Sequence, residues 1–180
     1  MSGILVVCTG NICRSPMAEG FLRAALAERL GDGAPVVTSA GTAGWDGSGA
    51  MEESIRAARE HGVDIGPHRS RQLDPEMVRD ADLVLCMATD HRGAIVGSWP
   101  ATADKTFTIK ELVRLLEASS PGGSLLDRVA AAAAARNGTP RQAEDIRDPL
   151  GEPFNGYREV AGELHDLSGR LATALTRDPA

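Results

Sequence analysis

The protein has 180 residues, of which 42% are hydrophobic and 24% charged, a balance typical of a globular protein with a sizeable core. Its net charge of −6 disfavours a general nucleic-acid binder but permits a local anion site. Three cysteines, Cys8, Cys13 and Cys86, are too few for a disulfide framework and indicate a reducing compartment. Because the sequence shows neither a membrane span nor a signal peptide, we expect a cytoplasmic protein without membrane insertion.

Strands and helices alternate in the predicted order of elements. An apolar, β-branched run at residues 4–7 is typical of a central strand buried on both faces. From Ser15 onward the apolar spacing favours a helix, which Gly31 and Gly33 end. Further strands are predicted at residues 35–39, 82–87 and 106–109, and further helices at residues 52–61, 91–96, 110–117 and 156–175. Residues 40–49 hold four glycines and are predicted to form a surface loop.

This alternation predicts a single α/β domain over residues 1–180, with a four-stranded parallel sheet covered by helices on both faces. The arrangement is flavodoxin-like or Rossmann-like, and ligands of such folds bind beyond the C-terminal ends of the strands. Residues 119–141 contain glycine- and proline-rich segments around an alanine run, so we expect one helix between two loops there.

The segment that follows the first strand carries the residues expected to do the chemistry. It consists of Cys8, Thr9, Gly10, Asn11, Ile12, Cys13, Arg14 and Ser15, and residues 9–15 are predicted to bind phosphate. Consecutive amides here can form an anion-binding concavity, and the following helix points its positive end at it. Arg14 can hold two phosphate oxygens. The positive field of Arg14 and the helix N-terminus favours the thiolate of Cys8, to which the hydroxyl of Ser15 can donate a hydrogen bond. The pattern indicates phosphoryl transfer to a cysteine nucleophile.

This motif and its context resemble the low-molecular-weight protein tyrosine phosphatases, over most of the chain. The matching segments are the stretch from Cys8 to Glu19, Thr38-Ser39-Ala40-Gly41-Thr42, His68-Arg69-Ser70-Arg71-Gln72-Leu73, Ala81-Asp82-Leu83-Val84-Leu85-Cys86-Met87, and Asp148-Pro149. The resemblance implies that Cys8 forms a phosphocysteine while Arg14 holds the phosphoryl group. It also implies that Asp148 protonates the leaving oxygen and then deprotonates the attacking water, without a metal or another cofactor.

Three Asp-Pro pairs compete for the role of the acid. Asp74 resembles a helix N-cap with proline at the first helical position, and Asp178 lies in the terminal tail. Asp148 precedes the last predicted helix, as the acid loop of the family does, and is therefore the expected acid. Asp145, three residues earlier, remains the rival candidate.

The resemblance also suggests roles for residues around the loop. Ser39 and His68 correspond to positions that hydrogen-bond the side chain of Asn11 and support the loop. Trp45 corresponds to an aromatic wall of the substrate cleft, and Leu150 stands where many relatives place an aromatic residue. The alternatives are a lone surface serine, a lone histidine at a helix start, and a tryptophan that packs on its own loop.

The remaining cysteines and histidines have several possible roles. In the family, a cysteine at the position of Cys13 can form a disulfide with Cys8 and protect it from irreversible oxidation. The alternative for Cys13 is a small apolar residue within the loop. Cys86 ends an apolar strand and is expected to pack in the core. The four histidines show no metal-ligand spacing, so no metal site is predicted.

The expected substrate is a protein carrying phosphotyrosine, bound by a monomeric enzyme that does not bind nucleic acid. Ile12 favours this substrate, because the branch of the family that acts on phosphoarginine carries threonine there. Residues 105–112 nevertheless resemble the phosphoarginine branch, so a protein-arginine phosphatase is one alternative. A thiol-dependent arsenate reductase is another, although no cysteine follows Cys86 to complete its relay. A non-catalytic module that binds phosphoproteins is the third.

Overall fold

A computed structural model describes residues 3–119, 122–138 and 142–177. The strands are β1 (Gly3–Cys8), β2 (Val36–Gly41), β3 (Leu83–Cys86) and β4 (Thr106–Thr108). The helices are α1 (Arg14–Leu30), α2 (Glu52–Glu60), α3 (Pro75–Asp80), α4 (Thr89–Ser98), α5 (Ile109–Ser119), α6 (Leu125–Ala134) and α7 (Phe154–Thr176). Within the described ranges, no helix is both long and apolar enough to cross a membrane.

The four strands form one parallel sheet in the order β2-β1-β3-β4. In the central strand, Val7 lies between Ala40 of β2 and Cys86 of β3, and Cys8 pairs with Gly41. The C-terminal ends of three strands therefore meet at one edge, directly beneath the loop that follows Cys8. The predicted four-stranded parallel sheet is confirmed.

Each face of the sheet packs against its own apolar cluster. Ile4 and Val6 contribute to the larger cluster, which includes residues of α1, α5 and α7. Leu5 and Val7 face the smaller cluster, which includes residues of α3 and α4. Side chains alternate between the two faces of a strand, so a continuous apolar run is buried on both sides. The helical cover on both faces, inferred from this run, is confirmed.

Most predicted boundaries lie within two residues of those observed. The loop predicted at residues 40–49 begins later, because Ala40 and Gly41 extend β2 by pairing with β1. Asp74 caps α3 as predicted, since its carboxylate accepts a hydrogen bond from the amide of Met77 at 2.8 Å. These differences are small because the apolar pattern defines an element's interior better than its ends.

The region between α5 and α7 contains the predicted helix, α6. Ser124 and Asp127 begin it with reciprocal side-chain and backbone hydrogen bonds, a capping box. Beyond its end, Arg136 pairs with the buried carboxylate of Glu111 at 2.9 Å and so ties the region to α5. Residues 120, 121 and 139–141, which fall in the predicted loops, lie outside the described ranges.

Candidate active site

The loop between β1 and α1 is held from outside through its carbonyl oxygens. The hydrogen bonds run from Thr42 N to Cys8 O (2.9 Å), Ala43 N to Thr9 O (3.0 Å), Trp45 N to Gly10 O (3.2 Å), His68 Nε2 to Asn11 O (2.8 Å) and Met51 N to Ile12 O (2.8 Å). In a trans peptide unit, the N–H group points away from the C=O group. Five successive units that direct their oxygens outward therefore turn their amides toward the loop interior, as an anion site requires.

Asn11 cross-links the loop from within. Its φ of 54° lies in the left-handed region, which asparagine tolerates better than most residues. Its amide nitrogen donates to the hydroxyls of Ser15 and Ser39, both at 2.8 Å, and its side-chain oxygen accepts from the amide of Arg71 at 2.9 Å. Ser39 in turn donates to Glu19 of α1 at 2.5 Å. All hydrogen-bonding atoms of the buried side chain are thereby used.

The structure places Ser39 at the side chain of Asn11, as predicted, but His68 at a different atom. His68 bonds the backbone carbonyl of Asn11, whereas the side-chain oxygen of Asn11 accepts from the amide of Arg71. Since a carbonyl only accepts, Nε2 of His68 carries the proton. Burial lowers the pKa of His68, which favours the neutral imidazole in this position. The prediction of a contact with the Asn11 side chain was wrong for His68.

Two close backbone approaches require glycine, one at the end of β2 against the loop and one just after β2 against Arg71. A Cβ atom on Gly41 would lie 2.3 Å from the carbonyl oxygen of Thr9, and one on Gly44 would lie 2.4 Å from the carbonyl oxygen of Arg71. Both distances are far inside van der Waals contact, and the neighbouring atoms are backbone. Glycine therefore lets the segment that holds the loop carbonyls lie directly against them.

Cys8 lies at the base of this concavity with donors directed at its sulfur. The residue is 2% exposed, its Sγ lies 3.0 Å from the hydroxyl of Ser15, and it accepts from the amide of Asn11 at 3.3 Å. Hydrogen bonds of this kind stabilise a thiolate over a thiol. The geometry suits a sulfur that acts first as nucleophile and then as leaving group.

Arg14 connects the loop with the segment that carries Asp148. Its Nη2 atom lies 2.5 Å from Oδ2 of Asp148, and its Nη1 donates to the carbonyl of Ile146 at 3.1 Å. The guanidinium is buried, whereas the carboxylate is 46% exposed. The planar cation of Arg14 thus links the loop that carries the nucleophile to the expected acid, and a guanidinium of this kind can also bind an oxyanion.

The structure separates Asp148 from its rival, Asp145. One carboxylate oxygen of Asp145 accepts from the amide of Thr89 at 2.7 Å, at the start of α4. Its backbone carbonyl accepts from Lys110 at 2.8 Å. Asp145 is therefore engaged at a helix N-terminus, while Asp148 pairs with the arginine of the loop.

Trp45 and Leu150 are exposed apolar side chains next to the loop and to Asp148, respectively. Trp45 is 55% exposed, and its Nε1 would lie 3.8 Å from a Cβ atom on Gly10. Leu150 is 46% exposed, and its amide donates to Oδ1 of Asp148 at 3.2 Å. Both side chains are exposed close to the site, and their role as walls of a substrate cleft stays a prediction.

The other two cysteines are buried. Burial raises the pKa of Cys13 to about 11, so its thiol stays protonated at neutral pH. Burial also raises the pKa of Cys86, whose residue is fully enclosed at the end of β3. Core packing of Cys86 agrees with its predicted role. In the described parts of the chain, no group of three or more His, Cys, Asp or Glu side chains is placed to hold a metal ion.

Sequence reasoning missed His91, which the fold brings to the loop. Its Nε2 atom lies 2.9 Å from the hydroxyl of Thr9, and the residue is 6% exposed. The sequence offered no role for His91 beyond metal binding, and no local motif connects residues 82 positions apart. A signal was present, since His91 lies in the first turn of the helix after β3, at the edge where parallel sheets bind ligands.

Comparisons with known proteins extend the similarity beyond this loop. A family model described as low molecular weight phosphotyrosine protein phosphatase matches residues 3–120. A protein-arginine-phosphatase of Geobacillus stearothermophilus is 37% identical over 172 residues, covering 96% of this chain and 95% of the relative. The probable low molecular weight protein-tyrosine-phosphatase AmsI of Erwinia amylovora is 38% identical over 177 residues, covering 98% and 99%.

A solved structure gives the same result at the level of the fold. The crystal structure of a low molecular weight protein tyrosine phosphatase from T. tengcongensis aligns with a TM-score of 0.73 at 37% identity. The alignment covers 95% of this chain and 97% of that one. The agreement therefore spans nearly the whole chain rather than the cysteine loop alone.

Proposed function

This chain belongs to the low molecular weight phosphotyrosine protein phosphatase family, and we propose that it hydrolyses phosphotyrosine in proteins through a phosphocysteine on Cys8. The observation that carries the proposal is the arrangement of donors, nucleophile and acid around the loop. Amides converge on the space above a thiol, and Arg14 lies 2.5 Å from an exposed carboxylate. Such a site can bind a phosphoryl group, supply a nucleophile and supply a proton.

In the first step, the thiolate of Cys8 attacks phosphorus in line with the bond to the tyrosyl oxygen. The S–P bond forms as the P–O bond breaks, and protonated Asp148 delivers its proton to the departing oxygen. The loop amides and Arg14 hold the three equatorial oxygens, where negative charge accumulates. Because Arg14 bonds Asp148 in the structure, phosphate binding requires the guanidinium to share its donors between Asp148 and the phosphoryl oxygens.

In the second step, Asp148 is a carboxylate and removes a proton from water. The water oxygen attacks phosphorus, the S–P bond breaks, and inorganic phosphate is released. The departing sulfur is received as a thiolate by the donors already placed at 3.0 and 3.3 Å, the hydroxyl of Ser15 and the amide of Asn11. The same groups thus serve both halves of the reaction.

The side chains beside the loop support an aryl substrate. Ile12 is apolar and lies next to Gly10, since a Cβ atom there would be 3.3 Å from its Cγ1. Trp45 borders the same glycine and offers an aromatic surface for a phenol ring. The face of Trp45 can also stack on a guanidinium, so the discrimination rests on Ile12, which offers no acceptor to guanidinium N–H groups. Phosphoarginine remains the second candidate, favoured by the 37% identity with a protein-arginine-phosphatase.

A matched pair of substrates tests the choice. Two peptides of identical sequence, one with phosphotyrosine and one with phosphoarginine, are compared by kcat/KM in the presence of EDTA. We expect kcat/KM for the phosphotyrosine peptide to exceed that for the phosphoarginine peptide at least tenfold. A difference of this order is the effect of one hydrogen-bonding group left without a partner. Ile12→Thr should move the ratio toward phosphoarginine, because the hydroxyl can accept from a guanidinium. A wild-type preference for phosphoarginine would overturn the substrate assignment.

We further propose that residues 1–180 act as one monomeric domain in the cytoplasm, without nucleic acid or a metal. Three buried thiols without a disulfide support a reducing compartment. Light scattering of the purified protein and fractionation of cells test this part. A dimer that persists at low concentration, or a protein found outside the cytoplasm, would contradict it.

A further inference from the structure

The pair formed by Thr9 and His91 stands directly beside the nucleophile. Thr9 follows Cys8 in the loop and is exposed, whereas His91 enters from the first turn of α4 and is buried. The two side chains meet at 2.9 Å between Oγ1 and Nε2. A buried histidine that reaches across the sheet edge to an exposed loop hydroxyl calls for a reason other than core packing.

The surroundings of His91 fix which of its nitrogens carries the proton. Burial, reinforced by the positive charge of Arg14, lowers its pKa to about 4, so the ring is neutral and holds one N–H. Its Nδ1 is buried and has no hydrogen-bond partner among the described residues. A buried N–H without an acceptor is costly, whereas an unused lone pair costs less. The proton therefore belongs on Nε2, which donates to Thr9.

This tautomer determines what the hydroxyl of Thr9 can do. A hydroxyl has one proton and accepts through its lone pairs. When Oγ1 accepts from His91, its own proton is left to donate in another direction. His91 interacts electrostatically with Arg14 and Asp148, so the pair lies close to the site where the oxygens of a bound phosphoryl group are the strongest acceptors available.

We propose that His91 is a positioning residue that donates to Thr9 Oγ1 and thereby directs the Thr9 hydroxyl proton to a phosphoryl oxygen of the substrate. The inference rests on the proposed phosphatase function and adds one donor to the site. The phosphoryl oxygens are present in both chemical steps, so the donor assists the attack by Cys8 and the later attack by water.

Charges of both signs face His91, and burial is the main cause that keeps its ring neutral. Arg14, Asp148, Asp90 and Asp145 all interact electrostatically with His91. A second cation, added to Arg14, would further favour the carboxylate of Asp148 and oppose the protonation that the first step requires. Neutral His91 leaves Arg14 as the cation that pairs with Asp148.

The test measures hydrolysis of an aryl phosphate by the wild type, Thr9→Val, His91→Leu and the double variant. We expect kcat to fall about tenfold in each single variant, with KM changed less, because a hydrogen bond to a charged transition state is lost. The double variant should fall no further than the single ones, since both remove the same interaction. His91→Gln retains an amide donor and should recover part of the loss.

Two further variants distinguish the loss of this hydrogen bond from a defect in folding. Thr9 is exposed, so Thr9→Val is expected to fold even if His91→Leu does not. His61→Gln removes a histidine that stacks on His165 rather than bonding the loop, and should leave kcat unchanged. Wild-type kcat in Thr9→Val, or losses that multiply in the double variant, would overturn the proposal. An inactive wild type would instead refute the proposed function.

Discussion

The segments that supply the nucleophile and the acid are built differently. In the loop from Cys8 to Ser15, five successive carbonyls are anchored and the asparagine at its centre uses all of its hydrogen-bonding atoms. Asp148, by contrast, is 46% exposed and is held by one ion pair and one bond to a neighbouring amide. The first segment is fixed before substrate arrives, while the second retains room to adjust.

This difference follows from what each group must do. The loop has to present donors to a transition state without reorganising, which demands rigid supports. The acid has to meet a leaving oxygen, release a proton and then approach a water molecule, so it needs exposure and freedom of movement. Arg14 couples the two because it belongs to the buried loop and contacts the exposed acid.

The largest effect is expected from Asp148→Asn, which removes the proton donor and leaves the loop unchanged. With phenyl phosphate, whose leaving group needs a proton, kcat/KM should fall about 100- to 1,000-fold. With dinitrophenyl phosphate, whose leaving group departs as an anion, the loss should be much smaller. Steady-state kinetics on the two substrates provides the comparison.

Asp145→Asn is the matched control for the acid. It changes a carboxylate three residues away that bonds the start of α4. We expect this variant to have a lower unfolding free energy than the wild type. Its kcat/KM should depend on the leaving group in the same way as that of the wild type. The assignment of the acid would be contradicted if the selective loss of activity on phenyl phosphate occurred in Asp145→Asn rather than in Asp148→Asn.

An intermediate effect is expected when the support of the loop is removed at Asn11. Asn11→Gly keeps the left-handed backbone accessible but deletes three hydrogen bonds, so kcat should fall about tenfold. Asn11→Ala should in addition lose about 1 kcal/mol of unfolding free energy, because alanine disfavours a φ of 54°. Chemical denaturation and kinetics measure the two contributions. Equal unfolding free energies of the two variants would show that the left-handed backbone at residue 11 does not limit stability.

The smallest effect concerns the dependence of stability on pH. Burial lowers the pKa values of His61, His68 and His91, the last to about 4. The unfolded chain binds protons at these residues from about pH 6.5 downward, whereas the folded chain does not. Their contribution to the unfolding free energy is therefore complete above about pH 6.5 and is lost as the pH falls toward 4.

His91→Gln isolates one of these contributions. Between pH 7 and pH 4, its unfolding free energy should decline less than that of the wild type, by up to about 3 kcal/mol. Urea titrations at several pH values provide the measurement. The contribution of the carboxylates, which both proteins share, cancels in the difference between their unfolding free energies. Parallel declines would mean that His91 is protonated equally in both states.

The sequence predicted the parts of the site that are local and missed the part that is not. Cys8, Asn11 and Arg14 lie within seven residues between a strand and a helix, so spacing alone indicated their chemistry. The contact of Thr9 with His91 arises only when β1 and β3 pair in the sheet. Spacing along the chain carries no signal of such a contact.

The choice between neighbouring candidates likewise depended on tertiary contacts. Asp145 and Asp148 are both plausible acids by position, and only the capping of α4 and the pair with Arg14 separate them. His68 was expected at the side chain of Asn11 but bonds its backbone carbonyl, while the amide of Arg71, 60 residues from Asn11 along the chain, bonds that side chain. The alternating strands and helices, in contrast, predicted the sheet correctly from apolar pattern alone.

The most direct test of catalysis by Cys8 is to trap the covalent intermediate. Asp148→Asn is mixed with dinitrophenyl phosphate in EDTA, quenched rapidly, digested and examined by mass spectrometry, with Cys8→Ser as the inactive control. We expect one phosphoryl group on the peptide that contains Cys8, because the variant forms the phosphocysteine faster than it hydrolyses it. Phosphate release by an active Cys8→Ser variant, or a phosphoryl group on another residue, would contradict catalysis by the Cys8 thiolate.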